Sequence, residues 1–178
     1  MPFPAGRSRP EPPAVLAARG LALRHAVDAD LPALMRLYAD TRADELAAMP
    51  WPEAARQAFL AQQFALQHQH YLSHYGGADF LVVVQGDALV GRYYLWRAER
   101  EDLVVDISLL AGWRGQGIGG ALLASSQGSA AAQGRGLWLH VLRWNQAAQR
   151  LYARLGFEAE EVGSTDTHLL MRWRPPVS

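Results

Sequence analysis

The sequence contains no cysteine. That excludes a disulfide framework, a thiolate zinc site, an iron–sulfur cluster and a cysteine nucleophile. Lysine is also missing, since all 17 basic residues are arginine. A Schiff base to pyridoxal phosphate and the ammonium of a nucleotide P-loop are therefore excluded. A basic excess is lacking: 17 acidic side chains offset the basic ones, for a net charge of +0. A general nucleic-acid partner is not expected from that balance. No apolar run approaches the roughly 18 residues of a membrane span, and the N-terminus lacks the apolar core of a secretory signal. The expectation is a cytoplasmic protein with no membrane partner.

What is there is a chain of 178 residues, 50% hydrophobic, enough for one core and one domain. Residues 1–19, with Pro2, Pro4, Pro10, Pro12 and Pro13 and with Arg7 and Arg9, read as a disordered tail ahead of a domain over 20–175. Leu21 to Ala26 reads as a strand. Asp28 or Asp30 would cap the following helix, with Pro32 in its first turn. A longer helix runs from Glu53 to His74, buries Leu60, Phe64, Tyr71 and Tyr75, and stops at Gly76-Gly77. Strands follow over 79–85 and 88–97, joined at Gly86-Asp87, and a nearly continuous apolar strand over 103–110. After a glycine loop come a helix over 121–133, a strand over 137–142, a helix over 146–155 and a hairpin of 158–162 with 168–173. The order β-α-α-β-β-β-α-β-α-β-β implies one mixed α/β sheet with helices on its faces.

The loop Leu109-Leu110-Ala111-Gly112-Trp113-Arg114-Gly115-Gln116-Gly117-Ile118-Gly119-Gly120 is the most informative segment. It follows a buried strand and opens a helix. A helix start presents unpaired N–H groups and the positive end of the dipole, and glycines let a ligand approach the backbone. Together they suit a diphosphate, with Arg114 as a fixed cation at the mouth. Gly115, Gly117 and Gly120 also satisfy G-x-G-x-x-G. A dinucleotide fold, however, wants an acidic residue about twenty positions on, and the next strand carries His140 instead.

The run Arg114 to Gly119 resembles the acetyl-CoA diphosphate loop of the GCN5-related N-acetyltransferase (GNAT) superfamily, whose core pattern is Gln/Arg-x-x-Gly-x-Gly/Ala. Downstream, Asn145, Ala148, Leu151-Tyr152 and Leu155-Gly156-Phe157 are similar to the family's N-x-x-A-x-x-L-Y-x-x-x-G-F segment. The resemblance spans about 21–174. Ala111 departs from it, where many members have proline after the fourth strand.

The resemblance implies a mostly antiparallel sheet whose fourth and fifth strands splay to admit the pantetheine arm. It implies main-chain bonds to the cofactor from Leu109 and Ala111, and polarisation of the thioester carbonyl by the Leu109 and Leu110 amides. The amides of Gly115, Gln116, Gly117, Ile118, Gly119 and Gly120 would hold the diphosphate. Asn145 would contact the cofactor, or cap the helix that begins at Gln146, or both. Tyr152 would donate a proton to the departing thiolate, or pack, or both.

The general base is open among His140, Asp106, Glu45 and water; alternation sets Asp106 and Leu109 on opposite faces of their strand. His70 and His74 are four apart on the long helix, but no H-E-x-x-H pattern accompanies them and no metal is expected. Asp44, Glu45 and Trp51 are candidates for the acceptor side. The implied activity is direct transfer of acetyl from acetyl-CoA to a primary amine of a small molecule, peptide or protein, by an enzyme of a family whose members often dimerise. A non-catalytic acyl-CoA-binding module on the same fold is the alternative.

Overall fold

The computed structural model describes residues 1–6 and 9–176; Arg7, from the expected tail, lies outside them, as do Ser8, Val177 and Ser178. The helices are α1 (Ala14–Ala17), α2 (Leu31–Thr41), α3 (Ala43–Ala47), α4 (Glu53–His74), α5 (Ile118–Ala131) and α6 (Gln146–Arg154). The strands are β1 (Leu21–His25), β2 (Asp79–Gln85), β3 (Ala88–Trp96), β4 (Glu101–Leu109), β5 (Gly136–Leu142), β6 (Glu158–Glu160) and β7 (His168–Trp173).

Strand β2 shows why the sheet is covered twice. Phe80 to Val84 are all buried, and a strand points successive side chains to opposite faces. Leu81 and Val83 join Leu16, Ile118, Leu122 and Tyr152 on one side. Phe80, Val82 and Val84 join Leu34, Leu37, Leu60 and Phe64 on the other. Thus α1, α5 and α6 lie over one face and α2, α3 and α4 over the opposite one. The strands form a single sheet in the order β1-β2-β3-β4-β5-β7-β6. Only β4 and β5 pair in parallel; the other neighbours are antiparallel. This is the mixed, mostly antiparallel α/β sheet with helices on both faces expected from the sequence.

Four local features differ from expectation. Residues 14–17 form a helical turn, and Leu16, 1% exposed, enters the core, so this part of the expected tail is a packed element. Phe3 also docks, edge-on to Phe80 and His68, with its N–H donating to Asp28 Oδ1 at 2.9 Å. The prolines deny this segment a regular ladder but not apolar contacts. Neither Asp28 nor Asp30 caps α2 with its side chain. Asp30 instead accepts from Val27 N–H and holds the Arg24 guanidinium through both oxygens at 2.7 Å. On α4, Leu72 is buried where Tyr71 and Tyr75 were expected to be; both rings are half-buried. Helix α5 begins at Ile118, not Ala121: Gly119 and Gly120 lie inside it, where Leu151 side-chain carbons come within 3.7 Å of the place a Cβ would occupy.

Candidate functional site

Strands β4 and β5 part company midway. Their pairing runs from Glu101↔Gly136 to Val104↔Leu139 and then ends, although β4 continues to Leu109 and β5 to Leu142. Beyond that point β4 pairs only with β3, up to Gly91↔Leu109. The gap holds a cleft of about 450 Å³ whose walls include Asp106, Ile107, His140, Asn145 and Tyr152.

The glycine loop stands at the end of β4. Gly115 and Gly117 have φ of +70° and +80°, in the left-handed region that glycine reaches without Cβ strain. Within the loop, Trp113 N–H bonds to Leu110 O and Arg114 N–H to Ala111 O; the next recorded bond is Ala121 N–H to Gly117 O. Among the described residues, no acceptor is recorded for the amides of Gly115, Gln116, Gly117, Ile118, Gly119 or Gly120. They gather at the N-terminus of the 14-residue helix α5, a geometry suited to an anion.

The residues preceding the loop are more engaged than expected. Leu110 N–H donates to Val90 O at 2.9 Å, so it is tied to β3 and is not the donor for a thioester carbonyl. Backbone N–H groups alternate sides along a strand, so the Leu109 N–H points away from β3, towards the gap. Ala111 N–H donates to Asp40 Oδ2 at 2.8 Å, which takes it away from a cofactor bond. Arg114 turns back across the strand exit: Nε donates to Leu109 O at 2.9 Å and Nη2 to Asp40 Oδ2 at 2.7 Å. It does not stand free at the loop mouth as expected. The cation beside the loop is Arg19, whose Nη1 and Nη2 donate to Gln116 O and Gln116 Oε1, each at 2.8 Å.

Sequence reasoning missed both Arg19 and Asp40. Arg19 lay in the segment set aside as a tail. Asp40 sits in the last turn of α2, where a carboxylate opposes the helix dipole; that local misfit was the available signal of another duty.

Asn145 caps α6, its Oδ1 accepting from Ala148 N–H at 3.1 Å, and also lines the cleft. Tyr152 is 7% exposed and faces the cleft. Its ring lies 6.0 Å from Phe157, so it packs as well. Burial, with a smaller contribution from Asp106, pushes the Tyr152 phenol up to about 12, so it stays protonated at neutral pH.

The base candidates separate clearly. Asp106 accepts from Tyr71 Oη at 2.7 Å, Arg92 Nη2 at 2.6 Å and Ser108 Oγ at 2.7 Å. Arg92 is 3% exposed; burial alone would lower its pKa, but Asp106, Tyr94 and Tyr71 more than offset that and hold it above its ordinary value. A carboxylate so fully engaged is a structural counter-ion. Glu45 bonds Arg42 through both oxygens and is not part of the cleft wall. Trp51 packs on Phe59 outside the cleft, and Asp44 lies on α3. His140 lines the cleft, and its Nε2 lies 3.0 Å from Gly163 O. A carbonyl oxygen only accepts, so that bond places a proton on Nε2; in a neutral ring the lone pair then lies on Nδ1. His70 reaches the cleft from α4, its ring 4.1 Å from that of His74.

Residues 76–159 match the model of the acetyltransferase (GNAT) domain family. No curated protein matches the chain. Among solved structures, the PaiA N-acetyltransferase of Thermoplasma acidophilum in complex with coenzyme A superposes with a TM-score of 0.67 at 16% identity, over 86% of this chain and 98% of that one. YncA of Salmonella typhimurium, with acetyl-CoA, gives 0.55 at 20% identity, over 89% and 96%. The ribosomal-protein-S18-alanine N-acetyltransferase of Escherichia coli gives 0.59 at 20% identity, over the same shares. The family match runs through the glycine loop and α6, and the sheet around them has the fold of these enzymes: residues 76–159 are similar to an acetyltransferase domain of the GNAT superfamily.

Proposed function

We propose that this protein transfers an acetyl group from acetyl-CoA to a primary amine by direct attack. The observation that carries the reading is the row of unbonded amides from Gly115 to Gly120 at the end of a gap opened between β4 and β5. The fit is chemical: a cradle of N–H groups at a helix start suits a diphosphate, and an unpaired strand edge suits an extended polar arm. The coenzyme A and acetyl-CoA bound in the PaiA and YncA structures support it.

When bound, acetyl-CoA supplies an activated acyl group as a thioester, whose carbon–sulfur bond breaks as the carbon–nitrogen bond forms. The Leu109 N–H, turned into the gap, is placed to polarise the carbonyl. Tyr152 holds a proton to give to the departing sulfur, as its raised pKa allows. His140 Nδ1, or water in the cleft, takes the proton that the attacking amine must lose. Asn145 lines the path while capping α6. No step uses a metal. The protein acts as a cytoplasmic enzyme, and the amine belongs to a small molecule, peptide or protein.

The test is acceptor-dependent release of free thiol across a panel of amines, beside a binding titration with coenzyme A. Turnover with any amine supports the reading. Tight binding without turnover on any amine overturns it in favour of a non-catalytic acyl-CoA-binding module.

A further inference from the structure

Gln116 stands between Gly115 and Gly117, both with positive φ. The Gln116–Gly117 peptide plane turns over at little steric expense, because Gly117 brings no Cβ to resist the change in its φ. Within one trans peptide the C=O and the following N–H point in opposite directions. The direction of Gly117 N–H is therefore set by whatever holds Gln116 O. That group is Arg19 Nη1, at 2.8 Å. The second guanidinium nitrogen holds Gln116 Oε1, while Gln116 Nε2 donates to Gly112 O at 2.7 Å. The fork thus fixes main chain and side chain together.

Arg19 is itself held in place. It follows α1, its N–H donates to Leu16 O at 3.0 Å, and Leu16 is anchored in the core beneath α5. Arg114 cannot do this work, because it is spent on Leu109 O and Asp40.

We propose that Arg19 is a positioning residue of the donor site. It locks the Gln116–Gly117 peptide so that Gly117 N–H faces the diphosphate, and it supplies the positive charge beside the loop. The N-terminal segment is in this view part of the donor site. The inference rests on the loop being the diphosphate cradle, so its test must separate the two ideas.

The experiment is calorimetric titration of coenzyme A into the full chain, its Arg19→Ala and Arg19→Lys variants, and Gly117→Glu, with a melting midpoint for each. Arg19→Ala is expected to bind about tenfold more weakly at an unchanged melting midpoint, the size of one charge-assisted hydrogen bond. Arg19→Lys, which keeps a charged donor but not the fork, is expected to recover only part of that loss. If Gly117→Glu loses binding while Arg19→Ala binds like the parent, the cradle stands and the role of Arg19 falls. A loss that comes with a lowered melting midpoint also overturns it, making Arg19 a packing element. If the parent does not bind, or Gly117→Glu binds equally well, the cradle falls and the inference with it.

Discussion

Asp40 on α2 and Arg114 in the loop after β4 meet at 2.7 Å, and the same carboxylate oxygen takes the Ala111 N–H at 2.8 Å. This one oxygen ties the helix layer on the far face to the exit of the splayed strand. Ala111 stands where the resemblance would more often place proline, and the difference is used: only a residue with an N–H can make this bond. Alanine therefore leaves the exit no looser than proline would; a carboxylate does the fixing.

Ala111→Pro is accordingly expected to be tolerated. Leu110 already has φ −56° and ψ 146°, a conformation compatible with a following proline, and Ala111 opens a short 3₁₀ turn. Lower entropy of the unfolded chain contributes about 0.4–1 kcal/mol, offset by about 1.5–3 kcal/mol for the hydrogen bond lost to a carboxylate. Urea denaturation should place the variant about 1–2 kcal/mol below the parent, still folded. A much larger loss would mean that the Asp40 bond is central to the strand exit.

Tyr152→Phe keeps the ring that packs against Phe157 and removes only the hydroxyl. Turnover should fall about a hundredfold, the usual worth of a placed acid, while coenzyme A affinity changes little. In the parent, the phenol at about 12 keeps its proton through neutral pH, so the acid form is lost only as pH approaches that value. The kcat profile should show no alkaline decline from this group below about pH 10. An unchanged rate in the variant would leave the ring with packing alone.

Leu16→Ala tests the N-terminal segment as a folding element. Leu16 is 1% exposed and packs among residues of β1 and α5. Its truncation should cost about 2–5 kcal/mol, lowering the melting midpoint by several degrees. The same change in a disordered tail would have no effect on melting.

The sequence made the layers and the loop readable, because both are local. The unbroken apolar run of β2, the apolar spacing on α4 and the glycine run before α5 each sit within one window of residues. Long-range partners were not readable. Ala14 to Ala17 is too short and too close to prolines to differ from coil until Leu16 meets the core. The start of α5 was placed late because glycine disfavours a helix by about 1 kcal/mol, a local rule overridden where Leu151 packs against Gly119 and Gly120. Arg114 looked like a free cation because Asp40, which engages it, lies far away in sequence.

Acid should destabilise the fold partly through Asp30. Its pKa is held below the ordinary 3.8, first by the hydrogen-bonded Arg24 and further by Val27 N–H, against the opposing effect of burial. Above 3.8 the carboxylate is ionised in both folded and unfolded chains, and its stabilisation is fully present. As pH falls below that value the unfolded chain takes up the proton first, so stability declines until the folded form protonates too. Asp30→Asn removes this linkage together with the paired charge. Arg24 is 43% exposed, so screening keeps the loss at neutral pH near about 1 kcal/mol. Urea denaturation at pH 7 and pH 3 should then show the parent's advantage over Asp30→Asn shrinking in acid, whereas an equal advantage at both would assign the acid sensitivity to other carboxylates.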